Sequence, residues 1–139
     1  MTSAEKRLVR DSLPSIAELS GPIAMLFYGR LFQMEPRLRP LFRQDIEVQG
    51  RKLMDMLTAL TTNLERYDDL IPALKALGQR HAAYGVRPED YELVTASLIW
   101  AFGAALEDEF DPEVKAAWRS VITAVGVTMR EGAAELTAP

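Results

Sequence analysis

Apolar residues recur at helical spacing along almost the whole chain. Leu53, Met56, Leu57, Leu60 and Leu64 fall three or four positions apart, which predicts an amphipathic helix over 47–64. Leu74, Leu77 and His81 repeat the interval on a later segment. No stretch alternates with period two over a useful length. No internal repeat, low-complexity run or long linker interrupts the pattern. It predicts a single all-α domain, residues 1–139, of six or seven helices.

Local punctuation divides this pattern into elements. Thr2 and Glu5 have the spacing of a capping box, opening a helix that runs to about Leu19. Ser20, Gly21 and Pro22 break and restart the chain, and a second helix reaches about Met34. Pro36 starts a short turn or helix ending near Phe42, and Arg43 to Ile46 reads as a loop. After the 47–64 helix, the segment "ERYDD" reads as a surface connection, with Pro72 in the first turn of the next helix and Gly85 at its end. Pro88, Glu89 and Asp90 open a helix to about Leu106 or Glu107. In "FDPEV", Asp111 caps, Pro112 takes the first helical position and Glu113 suits the positive helix end. This last helix is expected to reach Glu131 or a few residues beyond.

Composition narrows the chemistry. The chain is 48% hydrophobic, enough for a real core, and carries 16 basic and 20 acidic residues for a net charge of −4. That balance argues against nucleic acid as the main partner, since phosphate binding wants a basic excess. There is no cysteine, which excludes disulfides, thiolate metal sites, iron–sulfur clusters and thioether-linked haem. The N-terminal residues lack the apolar core of a signal peptide, and no run approaches a membrane span. These features lead to an expectation of a cytoplasmic protein with no membrane partner. No P-loop, G-x-G-x-x-G or G-x-S-x-G motif occurs.

Three residues interrupt the apolar faces. Gln49 continues the stripe of the 47–64 helix four positions before Leu53; it either faces inward as an amide or reaches solvent from the helix start. Tyr28, beside Phe27, is either a core tyrosine with a backbone partner or a polar group held inside for a purpose. His81 is the only histidine. It is either a satisfied helix residue or a metal ligand, and a metal bound there must bring its other ligands with it. Haem does so, supplying four equatorial nitrogens. Met54 and Met56 read as gap fillers rather than axial ligands.

Taken together, "LFYGRLFQMEPRLRPLF" (26–42), "VQGRKLM" (48–54), "LGQRHAAYGV" (77–86) and "RPEDYELV" (87–94) resemble the globin family, in particular bacterial single-domain haemoglobins similar to the globin domain of flavohaemoglobins. The resemblance covers nearly the whole chain. It implies a globin fold of six to eight helices around a haem b pocket, with His81 as the proximal iron ligand. Tyr28 and Gln49 would be the distal pair acting on the bound gas, and Pro36 would start the family's short third helix. Phe42 would wedge against the haem, Leu53 would line the distal pocket, and Leu77, Val86 and Tyr91 would lie on the proximal side. Lys52 would reach a propionate or remain an exposed lysine. The implied ligands are O₂ and, in addition, NO and CO.

One position departs from that branch, where a glutamate of the last helix often bonds the proximal histidine. Counting from Trp118 puts Ala133 there, flanked by Glu131 and Glu135. Loss of that carboxylate would favour reversible binding over O–O cleavage. Within 139 residues no flavin or nicotinamide domain is expected, so an electron donor or reductase would be external. The resemblance implies tight O₂ binding, for scavenging or NO dioxygenation, by a monomer or homodimer. A globin-like sensor or interaction module acting through protein contacts is the alternative, with a plain helical bundle behind it.

Overall fold

The computed structural model describes residues 1–137, of which six α-helices form the frame. α1 (Ser3–Glu18) opens on the expected capping box: Thr2 Oγ1 accepts from the Glu5 amide at 3.1 Å, and Glu5 Oε1 accepts from the Thr2 amide at 2.8 Å. α2 (Ser20–Met34) follows after Leu19. A 3₁₀ turn, Pro36–Leu41, leads to α3 (Ile46–Thr62), which Asp45 caps through the Glu47 amide. α4 (Tyr67–Ala83), α5 (Asp90–Leu106) and α6 (Pro112–Thr137) complete the chain, with short 3₁₀ turns at Leu64–Arg66 and Glu107–Glu109. Asp111 Oδ1 caps α6 through the Val114 amide at 3.0 Å. No strand occurs among the described residues, and none of their helices is long and apolar enough to cross a membrane.

One element starts earlier than its local signals suggest. α4 begins at Tyr67, so part of "ERYDD" is helical and Pro72 lies inside the helix rather than in its first turn. Asp68 and Asp69 sit in the first turn, where carboxylates favour the positive helix end. Tyr67 also anchors this start from a distance. Its hydroxyl bonds Thr128 Oγ1 at 2.7 Å and the Ala124 carbonyl at 3.2 Å, both on α6. A tertiary contact thus sets a boundary that proline placed too late.

The buried core forms two groups. The larger joins α1, α2, α3, α5 and α6 around the fully buried Trp118 and Phe102, whose ring centroids lie 5.0 Å apart. The Trp118 indole N–H finds its acceptor in Ser12 Oγ at 2.8 Å, tying α6 to α1. The smaller group, Leu60, Leu74, Val125 and Met129, lies under α4. Although α3 and α4 are consecutive, they pack on different partners: α3 on α2 and α1, α4 on α6. Beyond the shared contact of Leu60 with Leu74, the two helices diverge and leave a candidate cleft between them.

Candidate functional site

The residues bordering this cleft are neither core nor surface. Phe42, Leu53 and Val94 are half-buried against the larger group, while Leu77 and Tyr91 are half-buried against the smaller one. Val86 and His81 are half-buried as well. Apolar side chains in this state can still pack against a further apolar group. The structure thus sets Phe42 and Leu53 against the larger group and Leu77 and Tyr91 against the smaller, with His81 one turn beyond Leu77. Lys52 stands exposed at the rim.

His81 lies in the last turn of α4. Its Nδ1 is 2.9 Å from the Leu77 carbonyl oxygen, one turn back. A carbonyl can only accept, so Nδ1 carries the proton and Nε2 keeps its lone pair. Burial pushes the pKa of His81 below its ordinary value, against the Leu77 bond that raises it, and Arg80 lowers it further. The ring is therefore neutral at pH 7, the state a metal ligand requires. Just beyond, Gly85 adopts φ 107°, which lets the chain fold back. The Val86 amide then bonds the backbone carbonyl of His81 at 3.0 Å, tying Val86 to the end of α4.

Glycines bring α4 and α6 into backbone contact. A Cβ on Gly78 would lie 1.9 Å from the Met129 carbonyl oxygen, and one on Gly132 would lie 2.3 Å from that of Lys75. Polar bonds join the same seam: Gln79 Nε2 donates to the Gly132 carbonyl, and Lys75 pairs with Glu135 at 2.7 Å. Farther along α6, Gly126 meets the Tyr91 ring, and Arg130 lies over it at 5.7 Å. Ala133 is on that same helical face, seven positions from Gly126, and is half-buried. Glu131 is exposed and Glu135 is occupied by Lys75, so no described carboxylate bonds His81.

Tyr28 is buried at 4% exposure within an aromatic cluster. Its ring centroid lies 4.9 Å from Phe27, 5.8 Å from Phe32 and 5.3 Å from Phe42. α3 can pass close to α2 here because Gly50 has no side chain; a Cβ there would meet Ala24 at 2.8 Å, while the Tyr28 ring at 3.9 Å would be an ordinary contact. Burial pushes the phenol pKa up to about 12, with no opposing contribution. The hydroxyl bonds no described residue, whereas a core tyrosine ordinarily finds a partner.

Gln49 is not joined to Tyr28. It is half-buried, and its Nε2 donates instead to Gln44 Oε1 at 3.1 Å. Lys52 Nζ donates to the same oxygen at 2.7 Å. Gln44, in the loop before α3, escaped the reading of periodicity because it belongs to no face.

A charged pair links the turn before α3 to the start of α5. Arg37, in the 3₁₀ turn leading to Phe42, pairs with Asp90 at the start of α5, whose other oxygen accepts from the Arg87 amide at 2.8 Å. Leu41 packs where a Cβ on Gly85 would lie, 3.1 Å away. Burial alone would raise the Asp90 carboxyl, but Arg37 and the Arg87 amide outweigh it and hold the pKa below the ordinary value. Sequence reading had no signal for this pair beyond two charged residues 53 positions apart.

A family model described as Globin matches residues 26–129. The chain is 31% identical over 121 residues to the flavohaemoprotein of Rhizobium meliloti and 28% identical over 114 residues to that of Bacillus subtilis. These matches take in 85% and 80% of this chain but only 30% and 29% of those proteins. Among solved structures, an engineered carbene transferase from Rhodothermus marinus, described as a candidate nitric oxide dioxygenase, superimposes with a TM-score of 0.89. It shares 25% identity, over 99% of this chain and 96% of that one. A bacterial globin from Campylobacter jejuni superimposes with a TM-score of 0.85 at 19% identity, over 98% and 99% of the two chains.

Proposed function

The chain belongs to the globin family, and from that premise we propose that it holds haem b through His81 and binds O₂ tightly, for oxygen scavenging or NO dioxygenation. One observation carries this reading. His81 is a neutral imidazole with a free Nε2, and the buried Tyr28 carries a hydroxyl that bonds no other described residue.

The donor set fits the group. Half-buried Phe42, Leu53, Leu77, Val86 and Tyr91 offer apolar surface to both faces of a flat macrocycle, and His81 offers one nitrogen. No cluster of three His, Cys, Asp or Glu side chains forms among the described residues, so His81 would need a metal that arrives with its other ligands. When bound, haem supplies a redox-active iron that captures diatomic gases.

The chain's own residues tune that capture. His81 is oriented by Leu77, and its partner is a carbonyl rather than a carboxylate. The imidazole is thus a moderate electron donor, suited to reversible capture. Tyr28 would donate a hydrogen bond from its hydroxyl to a bound ligand that carries partial negative charge. The pKa of about 12 keeps that proton in place at any physiological pH. A hydrogen bond to a charged acceptor contributes about 1.5–3 kcal/mol, or roughly ten- to a hundredfold in affinity. CO carries less charge and gains less. Gln49 supplies a second donor when its amide turns inward. Phe42 and Leu53 keep water from the same face.

Similarity to flavohaemoproteins and to the Rhodothermus marinus protein supports the NO dioxygenase reading. Turnover requires electrons that none of the 139 residues supplies, so a reductase module or protein must deliver them. Lys52 would reach a propionate only by leaving Gln44.

The absorption spectrum of the purified chain after haem addition tests the proposal. A Soret band that His81→Ala loses or leaves weak and exchangeable is expected. No band in the parent protein would sink the reading and favour a module acting through protein contacts.

A further inference from the structure

We propose that Gln44 is a positioning residue, which parks Gln49 at the rim and leaves Tyr28 as the sole donor facing a bound ligand. The inference rests on the haem reading above for its consequence, but its geometry stands independently. Lys52 can only donate, so its contact fixes the Gln44 side-chain oxygen, rather than its nitrogen, toward α3. Gln49 must then present its own nitrogen to that oxygen. Both lone pairs of the Gln44 carbonyl are used, and the orientation of all three side chains follows without ambiguity.

The local chain explains why Gln44 is held at this distance. Asp45 follows it directly and caps α3 twice, by its side chain to the Glu47 amide at 2.8 Å and by its carbonyl to the Gln49 amide at 3.0 Å. The loop is therefore anchored one residue away. On α3, Gln49 lies three positions from Lys52 at the rim and four from Leu53 in the cleft wall. Its side chain sits on the border between the two and can turn either way. The Gln44 bond selects the outward choice. No described carboxylate pairs with Lys52, so Gln44 is its partner as well. Anything that draws Lys52 away changes the environment of the one oxygen that restrains Gln49.

Gln44→Ala frees both donors, while Gln44→Glu keeps an acceptor for each. Without added haem, the Gln49 side-chain amide resonance should move in Gln44→Ala and stay close to the parent in Gln44→Glu. In the haem-loaded protein, Gln44→Ala should lower the O₂ off-rate about two- to tenfold, the range of one additional ordinary hydrogen bond. The C–O stretch of the CO-bound protein should shift with it. Gln44→Glu should retain the parent rate. The same substitution made in a Gln49→Leu background should have no effect on the off-rate. An unmoved Gln49 resonance overturns the proposal whether or not haem binds. So does an O₂ off-rate change that persists in the Gln49→Leu background, or no change at all. A missing Soret band instead sinks the haem reading, leaving the amide resonance to decide whether Gln44 restrains Gln49.

Discussion

On the α4 side of the cleft backbone meets backbone, while on the α3 side side chains meet at a distance. Gly78 and Gly132 let α4 and α6 approach until a Cβ at either site would overlap a carbonyl. Lys75, Gln79 and Tyr67 add polar bonds across the same seam. On the α3 side, the approach at Gly50 is to an Ala24 methyl, the Tyr28 hydroxyl bonds no described residue, and Gln49 hangs on an exposed glutamine. The helix that carries His81 is fixed by backbone contact as well as by side-chain bonds. The α3 side rests on side-chain contacts. On the haem proposal, the rigid side would hold the metal and the adjustable side would face the ligand.

The sharpest way to break this contrast is Gly78→Ala. The added carbon has to displace backbone, not a flexible side chain, so the loss should exceed about 3 kcal/mol, beyond ordinary overpacking. Denaturant unfolding measures it. Gly50→Ala meets only a methyl and should lose less, about 1–3 kcal/mol. Equal losses at the two glycines would show the walls to be equally rigid.

Tyr28→Phe probes the adjustable wall at its polar end. The hydroxyl bonds no other described residue, so its removal should leave stability nearly unchanged. The O₂ off-rate of the haem-loaded chain should rise at least about tenfold. A large stability loss with an unchanged rate would make Tyr28 an ordinary core residue.

The charged pair of Arg37 and Asp90 depends on pH. The folded Asp90 carboxyl is held below its ordinary pKa, so its contribution is complete above the ordinary carboxylate range. It is lost as pH falls through the lowered folded value. Asp90→Asn should therefore lower Tm by roughly 3–6 °C, with a constant gap between about pH 5 and 7. The gap should narrow below about pH 4. A gap that widens on acidification would reverse the assigned sign.

How much of this was legible in the sequence depends on whether a feature is local. The caps at Thr2 and Asp111, the turn at Pro36 and the stop at Gly85 answer to neighbours within a few residues, and the structure has each of them. Periodicity likewise placed His81 and Leu77 on one face. Pro72 misled because the start of α4 is set by Tyr67 bonding residues 57 and 61 positions away. Gly78 in "LGQRH" was visible as a mid-helix glycine, but its need for closeness lies in Met129. Gln44 could not be chosen over any other loop residue without knowing what α3 presents to it. The globin resemblance supplied candidate roles for Tyr28 and Gln49; it did not supply the present separation between them.

The smallest expected effect completes the comparison, at Gly29. It neighbours Tyr28 in α2, is exposed, and a Cβ there would meet nothing within 4 Å. A helical glycine with free space is a conformational liability, because the unfolded chain loses more freedom there than alanine would. Gly29→Ala should raise stability by about 0.5–1 kcal/mol and leave the Tyr28 hydroxyl untouched. The expected result is a higher denaturation midpoint with an unchanged O₂ off-rate. If the rate changes as well, stiffening α2 reaches the ligand, and the adjustable wall includes backbone as well as side chains. If both stay flat, α2 is already rigid beside Tyr28, and adjustment is confined to Gln49 and its partner in the loop.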